Sequence, residues 1–223
     1  MKKFGFTLTE VMITVGIIGV IAALTIPNLV ANYQKNLFAT SLHRVYNDLD
    51  IAIQKYMADQ HVDDLRESDM YNNSEALKRF ITSTFDVAMD CGTRYYNPDA
   101  SKNCFAPNYG YIEGFERANL IDFEHNANTC NMVFMTTSGA SLCVDTKMQE
   151  GSSYGKGDST EYLLGVEIDV NGPQGPNIFG RDLFMTMHVQ YDGTIKDETF
   201  VSDEDTPGNF FGRLLNNNWK MNY

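Results

Sequence analysis

The sequence is poor in positive charge. Its 17 lysines and arginines stand against 29 aspartates and glutamates, which gives a net charge of −12. No long run of Lys and Arg follows residue 3. Because a surface of this sign repels phosphate backbones, we expect no binding to nucleic acid through bulk electrostatics.

Signatures of catalysis are also scarce. The sequence contains no H-E-x-x-H and no phosphate-binding glycine loop. Its four histidines, His43, His61, His125 and His188, are scattered along the chain without ligand spacing. A catalytic triad can be assembled by folding from distant residues, but no pattern here points to one. The sequence therefore does not predict an enzyme.

Charge is almost absent from residues 4–34, where Glu10 is the only charged side chain. The 21 residues from Phe6 to Ile26 would span roughly 30 Å as a helix, the thickness of a bilayer's hydrocarbon core. A secretory signal peptide fits poorly, because the apolar stretch is too long and no small-residue cleavage site follows it. A lipoprotein signal is excluded because the first cysteine is Cys91.

A plain signal anchor would explain the length of this stretch but would leave Glu10 unexplained. A carboxylate inside a spanning segment costs about 2.5–3.5 kcal/mol on insertion scales, so it normally marks a function and has a partner. The alternative for Glu10 is a tolerated polar residue near the membrane interface.

The residues around Glu10 carry a resemblance to a known family. Gly5-Phe6-Thr7-Leu8-Thr9-Glu10, between a short basic leader and an apolar run, resembles the processing signal of type IV prepilins and type II secretion pseudopilins. The resemblance implies that a membrane peptidase removes a leader of residues 1–5 by cutting after Gly5 and then N-methylates Phe6. It also implies that Glu10 is the assembly residue, and Pro27 matches the family pattern.

This resemblance implies a structural subunit, a pseudopilin or minor pilin, of a type II secretion pseudopilus or type IV pilus. Lys2 and Lys3 would keep the N-terminus in the cytoplasm, with the head periplasmic or extracellular. The implied partners are a prepilin peptidase and methyltransferase, other pilins or pseudopilins, an inner-membrane assembly platform and membrane lipid. The alternatives are a DNA-uptake pilin and a membrane-anchored periplasmic binding protein or enzyme.

The predicted fold class is α+β, with one long N-terminal helix packed on an antiparallel sheet. We expect residues 6–30 to form a membrane-spanning part, residues 31–60 an amphipathic extension and residues 61–223 a globular head. Apolar residues at three- and four-residue steps predict the face of the extension that contacts the head: Val30, Tyr33, Leu37, Val45, Leu49, Ile53 and Tyr56.

Within the head, Ser74-Glu75 predicts the start of a short helix with Leu77, Phe80, Ile81 and Phe85 on its apolar face. Strands are expected from Cys91 onward. The strongest candidates are a hairpin of 131–136 and 140–145, and strands over 162–170 and 183–191 followed by a turn at Asp192-Gly193.

The four cysteines form two pairs with equal spacing. The simplest of three possible connectivities is Cys91–Cys104 and Cys130–Cys143. In an oxidising compartment each disulfide would close a loop of about 14 residues and contribute roughly 3 kcal/mol. Zinc is not expected, because C-x-x-C is missing. Free buried thiols remain the alternative if the host's envelope does not oxidise proteins.

No cofactor is predicted, and calcium is the one candidate. The segment 169–177 starts like an acidic calcium loop but lacks the later carboxylate of an EF-hand, so we interpret 171–182 as a structured loop between strands. By resemblance to calcium-binding pseudopilins, Asp203 and Asp205 could contribute to a site, although a solvated acidic turn is the ordinary interpretation. Trp219 is predicted either to close the core or to contact another subunit.

Overall fold

A computed structural model gives the fold of most of the chain. It describes residues 5–71, 73–99, 101–112, 121–122, 129–146, 162–197 and 210–223. The chain divides into two compact units, residues 1–37 and residues 38–223.

The long N-terminal helix is confirmed: α1 runs from Leu8 to Gln60. From Phe38 onward it buries one face at helical spacing, through Phe38, Ala39, Leu42, Val45, Leu49, Ile53 and Met57. The prediction that this face begins earlier is wrong. Val30, Tyr33 and Leu37 are 47%, 67% and 48% exposed, because the buried stripe of the second unit begins only at Phe38.

The short helix predicted in the head is confirmed as α2, Ser74–Thr84. Asn73 caps it, since its side-chain oxygen accepts a hydrogen bond from the Ala76 amide at 3.1 Å. Leu77, Phe80 and Ile81 are buried, and Phe85 is buried immediately after the helix. A single 3₁₀ turn, Leu65–Glu67, lies between α1 and α2.

The described residues of the head form one nine-stranded sheet and a last helix. The strands are β1 Val87–Arg94, β2 Asn108–Tyr111, β3 Ile121–Asp122, β4 Thr129–Thr136, β5 Ser141–Thr146, β6 Tyr162–Asp169, β7 Ile178–Phe179, β8 Leu183–Gln190 and β9 Ile195–Asp197, and the helix is α3 Phe210–Asn216. Their order is β1-β4-β5-β6-β8-β7-β2-β3, and β9 pairs with β8. Most pairs are antiparallel, so the predicted α+β class is confirmed.

Both predicted hairpin signals are confirmed. β4 and β5 are joined by a turn in which Gly139 has a φ of 90°, a value that favours glycine. β8 and β9 are joined at Asp192-Gly193, where the Asp192 side chain accepts a hydrogen bond from the Thr194 amide at 2.9 Å. Such turns fix the strand register, and with it which side chains face the core.

Two details of the predicted sheet are wrong. The first strand begins at Val87 rather than at Cys91. The loop predicted over 171–182 contains β7, which runs parallel to both β2 and β8. The pairing of β7 with β2 joins segments far apart in the sequence, so local residue patterns do not predict it.

The chain's last residues pack back onto α1. Trp219 is partly buried and stacks on His43, with ring centroids 4.2 Å apart and planes 18° apart. Its ring also lies 5.3 Å from that of Tyr46. Trp219 therefore packs against the helix within the head, as expected of a residue that closes the core.

We predict that Gly180→Ala destabilises the head more than Gly139→Ala. Both glycines have positive φ, where a side chain costs about 1–2 kcal/mol. A Cβ at Gly139 would meet open space, whereas one at Gly180 would lie 2.6 Å from Phe210 Cγ, adding about 1–3 kcal/mol of overpacking. Thermal unfolding followed through the single tryptophan tests this, and equal shifts for the two variants would contradict it.

Candidate processing and assembly site

The predicted cleavage position lies just before the first helix. Gly5, Phe6 and Thr7 have no regular secondary structure, and α1 begins at Leu8. The Phe6 side chain is 89% exposed. The bond between Gly5 and Phe6 is thus in an exposed, non-helical segment, which is the kind of backbone that proteases reach.

Glu10 is tied to the start of the helix by a reciprocal cap. The Thr7 amide and the Thr7 hydroxyl each donate to Glu10 Oε2 at 2.8 Å. The Glu10 amide donates in return to Thr7 Oγ1 at 3.3 Å. This is a capping box, with Thr7 as the N-cap and Glu10 three residues later. The two hydrogen bonds that the Glu10 carboxylate accepts both end on Oε2, and no described residue donates to Oε1.

The helix after this cap exposes an apolar surface. None of its most apolar 18-residue window is buried, and the helix is long and apolar enough to cross a membrane. The large apolar side chains that are at least 46% exposed are Leu8, Val11, Met12, Ile13, Val15, Ile17, Ile18, Val20, Ile21, Leu24, Ile26, Leu29, Val30, Tyr33 and Leu37. Glu10 is the only charged side chain between residues 4 and 34.

Pro27 lies within the continuous helix. Because proline has no amide hydrogen, the carbonyl of Ala23 lacks its usual partner there. In the same region the Thr25 hydroxyl donates to a different carbonyl, that of Ile21, at 2.9 Å.

The structure pairs the cysteines as Cys91–Cys104 and Cys130–Cys143, with Cα atoms 6.1 Å and 5.8 Å apart. The first disulfide connects β1 to the loop that follows it. The second connects neighbouring strands β4 and β5. Both belong to the head, where they restrict the unfolded chain.

The calcium-like segment is a hydrogen-bonded loop. Asp169 accepts a hydrogen bond from the Tyr109 hydroxyl and one from the Asn171 amide at 3.1 Å. Asp182 accepts from the amides of Asn177 and Ile178 at 2.7 and 2.6 Å. Burial raises the pKa of both carboxyls, that of Asp169 to about 8. These carboxyls are committed to contacts within the head.

The remaining candidate metal ligands form no metal site among the described residues. Asp203, Asp205 and His125 lie outside the described residues. Among the residues that are described, no group of three or more His, Cys, Asp and Glu could hold a metal ion. The described histidines lie on different elements: His43 on α1, His61 after it and His188 on β8.

The sequence contains one pattern that is typical of serine hydrolases. Residues 151–155 read Gly-Ser-Ser-Tyr-Gly, which fits G-x-S-x-G. A nucleophile elbow requires a strand before the serine and a helix after it. These residues lie outside the part of the chain that the structure describes, and the next described element is strand β6. The pattern therefore supports no catalytic assignment.

The N-terminal segment matches a family model, the prokaryotic N-terminal methylation motif, over residues 1–26. The chain carries the prepilin-type leader of type IV pilins and pseudopilins. No curated protein and no solved structure matches the chain significantly.

The leader supports a type IV pilin- or pseudopilin-like protein. The leader implies processing by a prepilin peptidase and assembly with other pilins. It suggests a structural subunit rather than an enzyme. The exposed apolar helix is compatible with an inner-membrane anchor, as in pilins.

Sequence reasoning missed Thr7. The spacing Thr7-Leu8-Thr9-Glu10 is a recognisable capping box, but the resemblance to prepilins drew attention to Glu10 alone. The structure shows that the Thr7 amide and hydroxyl of the same chain bind the Glu10 carboxylate.

We predict that Thr7→Val loosens the first turn of α1 whereas Thr7→Ser does not. Valine loses the hydroxyl bonds of the cap, which costs about 1 kcal/mol, or roughly a fivefold change in an opening equilibrium. Amide hydrogen exchange of residues 8–10 in detergent micelles measures this. Unchanged exchange in the valine variant would show that the cap does not hold the turn.

Proposed function

We propose that this protein is a structural subunit, a pseudopilin or minor pilin, of a type II secretion pseudopilus or a type IV pilus. In this proposal a prepilin peptidase cuts after Gly5, Phe6 is methylated, and the subunit polymerises through α1. The observation that carries the proposal is one carboxylate, Glu10, placed four residues after Phe6 in the exposed apolar part of α1, where residues 4–34 contain no other charged side chain.

Cleavage would simplify the charge of the N-terminal segment. Before cleavage it carries Lys2, Lys3 and Glu10. After cleavage Lys2 and Lys3 are gone, and the net charge changes from −12 to −14. Only the new amine of Phe6 and the Glu10 carboxylate would remain. Methylation adds bulk to the amine but leaves its charge.

The remaining charges are suited to pairing between subunits. Glu10 Oε2 is occupied by Thr7, while Oε1 has no donor among the described residues. The Phe6 amine of a neighbouring subunit could bind this oxygen, and each charge would then be neutralised within the bilayer. The apolar side chains on both sides of Glu10 would pack against lipid before assembly and against other helices after it.

The orientation follows from the leader. Lys2 and Lys3 flank the apolar stretch on its N-terminal side, and the positive-inside rule places that side in the cytoplasm. The head would then fold in the periplasm, where the two disulfides can form. Removing the lysines removes the charges that oppose withdrawal of the helix from the membrane.

Processing is tested by intact-mass analysis of the membrane form, from cells with and without the prepilin peptidase. The expected mature chain lacks residues 1–5 and carries one added methyl group on Phe6. It should appear only when the peptidase is present. A chain that still begins at Met1 in the presence of the peptidase would overturn the proposal.

We predict that Glu10→Gln is still cleaved but no longer assembles. An amide of the same shape cannot neutralise the amine of a neighbour, and an uncompensated charge in the membrane costs about 2.5–3.5 kcal/mol. Incorporation into sheared filaments should therefore fall at least about tenfold. The measurement is the ratio of the subunit in sheared filaments to the subunit in membranes, in a host that carries the assembly machinery.

Two control variants make this result specific. Glu10→Asp keeps the charge and should retain part of the assembly. Glu75→Gln removes an exposed glutamate on α2 and should assemble normally. Normal incorporation of Glu10→Gln would refute the assembly role of Glu10 without affecting the evidence for processing.

A further inference from the structure

The centre of the head's sheet has a polar face that is buried. On neighbouring strands β5 and β6, Ser141 is paired with Asp169 and Cys143 with Glu167. Residues directly opposite each other in a sheet share a face. Ser141 and Asp169 are completely buried, and Glu167 is 9% exposed. Two carboxyls and a hydroxyl thus lie together away from solvent.

A disulfide-closed loop contacts this face. The β1–β2 loop, residues 95–107, buries Tyr95, Cys104 and Phe105. The Ser141 hydroxyl donates to the Cys104 carbonyl at 2.5 Å, and the rings of Tyr95 and Phe105 meet edge to face at 5.1 Å. The Cys91–Cys104 disulfide limits how far this loop can move from β1.

A tyrosine at each end of the loop binds one of the buried carboxyls. At its start, the Tyr95 hydroxyl donates to Glu167 Oε2 at 2.5 Å. Just beyond its end, on β2, the Tyr109 hydroxyl donates to Asp169 Oδ2. The Ala106 amide of the loop donates in turn to the Tyr109 oxygen at 3.1 Å. The loop is therefore anchored at its start to Glu167 and, through Tyr109 just beyond its end, to Asp169.

These carboxyls resist ionisation while they are covered. Burial raises the pKa of Glu167 to about 8 and that of Asp169 to about 8. Among the described groups, Asp145 adds to the shift of Glu167 and Asp182 to that of Asp169, while the hydrogen bonds from the tyrosines oppose it. Lifting the loop would expose the carboxyls to water and return them to ordinary acidity.

We propose that the β1–β2 loop is a pH-sensitive cover, held over β5 and β6 while Glu167 and Asp169 are protonated and released when they ionise. A carboxyl with a raised pKa in the closed form stabilises that form fully below its ordinary pKa, near 4. This stabilisation is lost as the pH rises through the closed-form value, about 8. The loop is thus closed in acid and opens towards neutral pH.

Hydrogen exchange with mass spectrometry on the full chain in detergent micelles tests the proposal at about pH 5.5 and about pH 7.5, after correction for intrinsic exchange rates. One such carboxyl changes the opening equilibrium by up to about tenfold per pH unit. We expect exchange in the β1–β2 loop to rise at least about tenfold, while α2, Ser74–Thr84, stays equally protected.

Isosteric variants identify the groups responsible. In the double variant Glu167→Gln, Asp169→Asn, the side-chain amide oxygens can still accept hydrogen bonds from the tyrosines, but neither side chain can ionise. Hydrogen exchange in the loop should therefore lose its pH dependence. Asp99→Asn is the matched control, because it neutralises an exposed carboxyl in the loop itself. This control should keep the pH dependence of the unmodified chain.

Hydrogen exchange of the unmodified chain at the two pH values tests the proposal even if the double variant does not fold. Equal protection of the loop at both pH values would overturn the proposal. So would a simultaneous loss of protection in α2, which would indicate unfolding of the whole head rather than opening of a cover. A double variant that folds and keeps the pH dependence would refute the assignment to Glu167 and Asp169.

Discussion

The N-terminal part of the chain is dominated by an apolar helix surface that is exposed. From Leu8 to Leu37 the large side chains of α1 face outward, and their transfer from water is worth about 25 cal/mol per Å² of surface covered. Such a surface requires lipid or other helices. A charged side chain within such a surface is costly in free energy unless it has a partner. The position of the Glu10 carboxylate is therefore more informative about function than the composition of the whole chain.

The same helix becomes part of an ordinary globular core at Phe38. From there its buried stripe joins α2, the sheet and the chain's last residues in a single hydrophobic cluster. The buried residues of α1 all lie from Phe38 onward, while its large apolar side chains from Leu8 to Leu37 are exposed. Under the proposed function, the first part of the helix would contact lipid before assembly and neighbouring subunits after it.

Sequence reasoning predicted the features that depend on local spacing. The helix, the Asn73-capped α2, the hairpins at Gly139 and Gly193, and the prepilin-type leader all have short signatures. It failed where the outcome depends on distant residues. Nothing near Val30, Tyr33 and Leu37 tells that burial starts only at Phe38, and nothing near β7 indicates its parallel pairing with β2. The Thr7 cap also has a local signature, the capping-box spacing of Thr7 and Glu10.

The buried carboxyls of the head and the Glu10 carboxylate of α1 are compensated in different ways. A carboxylate removed from water must be neutralised or leave its surroundings. Glu167 and Asp169 each accept a hydrogen bond from a tyrosine of the same chain, and burial raises the pKa of both carboxyls, which favours their neutral form. Glu10 has only the cap from Thr7, which satisfies one oxygen and supplies no charge. Under the proposed function, the missing positive charge comes from a second subunit, so the completion of this site and the growth of the filament are the same event.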